Sequence, residues 1–115
     1  EYEPLPAVIE PEEAALPALL GMVNGTEADN NVRRELGKAM GAFHKNPQTL
    51  RAVSRLIEWT DDQEDHGVRV AAHDALVLLL ESGAQVKFGE GMRTRWKELW
   101  RGHRKLKDLE AMKGK

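Results

Sequence analysis

Three groupings in this chain have residue types that could do chemistry: its histidines, a run of carboxylates, and a tryptophan–arginine cluster. The histidines are His44, His66, His73 and His103. His66 and His73 are seven residues apart, so on one continuous helix they would share a face, with Asp74 beside them. A metal site needs three or four convergent ligands, and neither a His-x3-His nor a His-Glu-x-x-His spacing occurs. His66 reads as a turn residue and His73 as a surface or interface residue. Asp61, Asp62, Glu64 and Asp65 could hold a hard cation, but they lack the ordered oxygens, central Gly and terminal Glu of an EF-hand loop. They read instead as helix-capping acids, each stabilising a helix start by about 0.3–1 kcal/mol. Gly89-Glu90-Gly91 is too short for a phosphate-cradling loop and has no following Lys-Ser or Lys-Thr. With no Cys, a thiol nucleophile, a Cys-ligated zinc or iron–sulfur site and a disulfide scaffold are excluded. No catalytic residue, metal, cofactor or small-molecule substrate follows from these residues.

The third grouping is the most informative. Of the six aromatic residues, Phe88, Trp96 and Trp100 lie within 13 positions. Met92, Trp96, Leu99, His103 and Leu106 form one helical stripe, with Trp100 beside it. Around the stripe stand Arg93, Arg95, Lys97, Arg101, Arg104, Lys105 and Lys107. Cations with interleaved Trp can hold nucleic-acid phosphates while the rings stack on bases. The same pattern suits an amphipathic helix laid in a partner's groove or on an anionic membrane. It equally suits a helix that caps a fold with its apolar stripe and leaves its basic face in water. The candidate partner-binding residues are Arg93, Trp96, Lys97, Trp100, Arg101 and Arg104.

These residues need elements to position them. The chain has 115 residues, enough for one domain or a piece of a larger one. Its 41% apolar content predicts a globular fold. The longest apolar run, Ala75 to Leu80, has six residues, far short of the roughly 20 a membrane helix needs. Absence of Cys is compatible with a reducing, intracellular compartment. The net charge of −2 conceals a gradient. Residues 1–30 carry seven acids and no Lys or Arg. Residues 31–86 carry seven basic and eight acidic residues, and residues 87–115 ten basic and four acidic. Such asymmetry implies different partners for the two ends, or attraction between them.

Pro4, Pro6 and Pro11 predict an extended acidic arm over residues 1–11. Leu16, Leu19, Leu20 and Val23 then follow helical spacing up to Asn24-Gly25. A second helix, capped by Asn30 or Asn31, carries Val32, Leu36, Ala39, Met40 and Phe43. Asn46-Pro47 caps and starts a third, with Leu50, Val53, Leu56 and Ile57. A fourth begins near Val68 and ends at Ser82-Gly83, with Gly83 expected as a left-handed cap. The last runs from about Met92 past Leu109. No stretch alternates as a strand would, so the fold class is all-α.

An offset of 36 superposes two halves of this pattern. Val32-Arg33 falls on Val68-Arg69, Leu36 on Ala72, Met40 on Leu76, Leu20 on Leu56 and Val23 on Trp59. A period of this size predicts stacked helical hairpins, each burying its face on the next. An apolar first helix, an acidic turn and Val-Arg opening an Ala-rich second helix resembles the HEAT repeat and its armadillo relatives. Val32-Arg33 with Gly37-Lys38-Ala39-Met40-Gly41, and Val68-Arg69 with Ala71-Ala72-His73-Asp74-Ala75-Leu76, carry the resemblance. It covers roughly residues 12–83 within a repeat body of residues 12–86, followed by a basic helix and tail over 87–115. The resemblance implies that the turn acid caps the second helix and that the Arg pairs in a ladder. The matching positions are Asp29 or Asn30 with Arg33, and Asp62 or Asp65 with Arg69. Solenoids need about three repeats for stability, so the last helix is expected to act as a cap, or the chain to be a fragment or subunit of a larger assembly.

The resemblance implies a short α-solenoid acting as a non-catalytic scaffold or adaptor for protein partners. The alternative is a nucleic-acid-binding module that uses the backbone of RNA or DNA through residues 87–115.

Overall fold

A computed structural model describes residues 14–80 and 82–113, with side chains described as far as residue 103. The arm expected over residues 1–11 and the side chain of Arg104 lie outside the described residues. Those residues form five α-helices and no strand: α1 (Leu16–Val23), α2 (Asn30–Ala42), α3 (Val53–Glu58), α4 (His66–Leu79) and α5 (Met92–Lys113). Among them, no helix is long and apolar enough to cross a membrane.

Each helix start has a local cause. Pro17 sits in the first turn of α1, where its missing amide hydrogen has no partner to lose, so the helix is not kinked. Asp29 caps α2, its carboxylate accepting from the Asn31 and Val32 amides at 2.8 and 3.2 Å. The cap is therefore Asp29, one residue before the expected Asn30 or Asn31. Asp65 caps α4 in the same way, accepting from the Val68 amide at 3.2 Å. Asn46 accepts from the Gln48 amide at 2.9 Å, but Pro47–Ala52 winds as a 3-10 turn before α3 begins.

The end of α4 differs from expectation. The left-handed residue is Ser82, with φ 69°, and not Gly83. Gly83 serves close approach instead. A Cβ there would lie 3.0 Å from the Leu76 carbonyl oxygen and 3.3 Å from the Trp96 ring. Glycine is needed for its conformation at Gly91, whose φ is 74° just before α5.

α1 packs on α2 and on the Pro47–Ala52 turn, α2 on α4, α3 on α4, and α5 on α3. Both members of several pairs 36 apart are buried: Leu16 and Ala52, Leu20 and Leu56, Val23 and Trp59, Leu36 and Ala72, Met40 and Leu76. These join Val53, Ile57, Val68, Ala75, Leu80, Val86, Met92 and Trp96 in one core. Every described helix contributes to it, so no helix can leave without exposing apolar surface. α2 and α4 approach each other closely. A Cβ on Gly37 would fall 3.0 Å from the Ala71 Cβ, so only glycine permits that spacing.

Candidate partner-binding surfaces

The carboxylate run is fully engaged in structure. Asp61 accepts from the Gln63 amide at 3.0 Å and Asp65 caps α4. Asp62 accepts from the Gly91 amide at 3.0 Å and pairs with Arg69 at 3.2 Å. Arg69 also donates to the Thr60 and Gly89 carbonyls at 3.4 and 3.2 Å and lies over the Phe88 ring at 5.2 Å. The Asp62–Arg69 pair thus ties the turn before α4 to the connection before α5. Arg33, on α2, is also engaged by this turn. It pairs with Glu64 at 2.8 Å, donates to Asn30, and stands over the Trp59 ring at 5.7 Å. Both arginines are mostly buried, so their pairs are less screened than surface pairs.

The histidines do not converge on one site. His44 Nδ1 lies 2.8 Å from the Gly41 carbonyl oxygen. His66 is the first residue of α4 rather than a turn residue. Together with His73 it flanks Phe88, at 5.7 and 5.5 Å between ring centroids. Their shared helical face was legible from their spacing; Phe88 as the group between them was not. His103 stacks on Trp100 at 5.3 Å. Among the described residues, no three His, Asp or Glu side chains are placed to hold a metal ion.

His73 is interior, only 8% exposed, rather than a surface residue. Its Nδ1 accepts a hydrogen bond of 3.2 Å from the indole N–H of Trp96. Burial pushes its pKa below the usual histidine range, against an opposing pull from the neighbouring Asp74 carboxylate. A neutral ring can accept at Nδ1 only with its proton on Nε2, so the Trp96 bond selects that tautomer.

The C-terminal candidates separate into groups. Trp96 is 0% exposed and belongs to the core between α5 and α4. Arg93 pairs with Glu58 at 2.9 Å and Asp61 at 3.5 Å, and Lys97 pairs with Glu58 at 3.3 Å. These two cations fasten α5 to α3. Trp100 is half-buried against the core, and its indole N–H has no acceptor among the described residues. Arg101 is exposed.

A second surface lies on the far side of the α2–α4 contact. An open groove of about 720 Å³ runs between these helices, with Gly37, Gly41, Ala71 and Ala75 as its floor. Arg34 and Lys38 stand on the α2 wall. Val70, Asp74 and Leu78 form the α4 wall at intervals of four, and Leu78 is 52% exposed. The small residues let the two backbones approach closely, and the same smallness leaves the space above them empty. Their spacing in two amphipathic helices was the available signal. No protein-family model, curated protein or solved structure matches this chain.

Proposed function

We propose that this chain is a non-catalytic helical-repeat scaffold that binds protein partners, built as two stacked HEAT-like hairpins with α5 as the closing helix. Several features support the stacked reading. Asp29 and Asp65 cap α2 and α4 at positions 36 apart. Arg33 reaches Glu64 in the turn before α4, and Arg69 reaches Asp62 in that same turn, which supports reading both as ladder residues. α2 packs on α4 and α5 on α3, contacts that support the stacked reading.

The observation that carries the binding function is the α2–α4 groove. It is apolar at its floor, polar at its rim and large enough for side chains of a partner. The basic helix offers less to a nucleic acid, because Trp96 is enclosed and Arg93 and Lys97 are held by carboxylates.

A photo-crosslinking amino acid placed at Leu78, and separately at Arg101, tests this in cells. Discrete protein adducts at Leu78 that exceed those at Arg101 are expected. Nucleic-acid adducts at Arg101 with none at Leu78 would overturn the scaffold reading in favour of a nucleic-acid module.

A further inference from the structure

From the charge and shape of the α2–α4 groove, we infer that it receives an acidic amphipathic helix of a partner protein. This rests on the scaffold reading and names the chemistry of its partner. From His66 to Leu78 the α4 wall is about 18 Å long at 1.5 Å per residue, which accommodates about three turns of a docked helix. The floor of Gly and Ala lets such a helix sit close, and Val70 and Leu78, eight residues apart on one wall, offer apolar contacts.

The charges on the opposite wall select the occupant. Arg34 and Lys38 are four apart, so both project along one side of the groove. Arg34 donates to the Asn31 side chain at 2.8 Å, and among the described residues it meets no carboxylate. Its stem crosses Gly67, whose missing side chain leaves it room. Lys38 has a loose pair of 3.4 Å with Glu35, with both side chains about two-thirds exposed. Pairs of that kind contribute little, so an incoming carboxylate can take the lysine over. Among the described residues, Asp74 is the one acid lining the groove. The matching helix therefore carries an apolar stripe, acids on the flank beside α2, and a cation beside Asp74. That division of charge also sets how the helix is rolled in the groove.

The experiment is an amide NMR titration of the full chain with a designed 15-residue helical peptide of that pattern. The control peptide has every Glu replaced by Lys. Shifts are expected at Gly37, Gly41, Gly67, Val70 and Leu78 with the acidic peptide. The lysine peptide should bind about tenfold or more weakly. Lys38→Glu, at an exposed position that leaves the fold intact, should narrow or reverse that preference. Equal binding of both peptides, shifts confined to α5, or no shifts would overturn the inference. Two other occupants would also overturn it. Groove shifts that grow with protein concentration alone would indicate a second copy. Groove shifts on Leu5→Ser/Val8→Ser/Ile9→Ser without peptide would indicate the chain's own N-terminal residues. If the peptide fails while Leu78 still crosslinks to protein, the acidic-helix inference falls and the scaffold reading stands. Loss of both removes both.

Discussion

The α5 side and the α2–α4 side of the molecule use opposite materials. α5 brings a large aromatic, Trp96, and surrounds it with cations, while α2 and α4 meet through Gly37, Gly41, Ala71 and Ala75. On α5 the conspicuous groups are consumed. Trp96 is enclosed and bonded to His73, and Arg93 and Lys97 are paired with Glu58. Between α2 and α4 the plain residues leave an open space, and the cations beside it are loosely held. A tryptophan–arginine cluster therefore says little about availability until its partners are known. Small residues on two facing helices say more, because the gap they leave is a property of the backbone spacing.

The comparison breaks most decisively at Trp96. Trp96→Ala should destabilise the fold by about 3–5 kcal/mol, the range for emptying a buried aromatic site. Urea unfolding measures it. A loss below about 1 kcal/mol would mean that α5 is not anchored through this ring.

On the other side, glycine-to-alanine substitutions sharpen the contrast. Gly37→Ala places a Cβ 3.0 Å from that of Ala71 and should cost about 1–3 kcal/mol through overpacking. Gly41→Ala makes contacts of only 3.5–3.7 Å and should be neutral, or stabilising by up to about 1 kcal/mol from helix propensity. Thermal unfolding of the two variants separates a tight contact from an open groove. Equal effects would erase the distinction.

Burial of His73 beside Trp96 makes the α5 side sensitive to pH. Folded His73 has a lowered pKa because burial disfavours its charged form, whereas the unfolded chain titrates near 6.5. Below that value the unfolded state binds more protons than the folded one. The contribution is intact above about pH 6.5 and is lost as pH falls from there through the lowered folded value. His73→Gln should flatten the slope of stability between about pH 7 and 5. An unchanged slope would show that His73 is not the group responsible.

The smallest effect is expected at the paired cations. Arg93→Ala/Lys97→Ala should lower stability by less than about 1 kcal/mol, since both side chains are more than a third exposed. Added salt should shrink the difference between variant and parent chain further. A larger, salt-insensitive loss would mean that these pairs are less open to solvent than their exposure indicates.

Much of the helical layout is legible from local chemistry. The spacing of Val32, Leu36, Met40 and Phe43, or of Leu50, Val53, Leu56 and Ile57, marks one buried face, and Asn46-Pro47 marks a start. Where short-range rules compete, the outcome shifts by a residue or changes type. Asp29 outcompetes Asn30 as a cap because its carboxylate reaches two amides at once. Pro47–Ala52 winds as 3-10 although its apolar spacing suits an α-helix. Ser82 takes the left-handed turn because Gly83 is held against Leu76, Val77 and Trp96.

Sequence alone determined an all-helical chain and the residues on each apolar face, because periodicity and capping act over one or two turns. Only the tertiary structure decided which chemically suggestive residues remain available. Trp96 is hidden because His73, 23 positions earlier, offers its indole an acceptor in an apolar setting. Asp62 is occupied because Gly91, 29 positions later, presents its amide hydrogen there. Burial and pairing depend on groups far apart in the chain, and their meeting is set by how the helices pack.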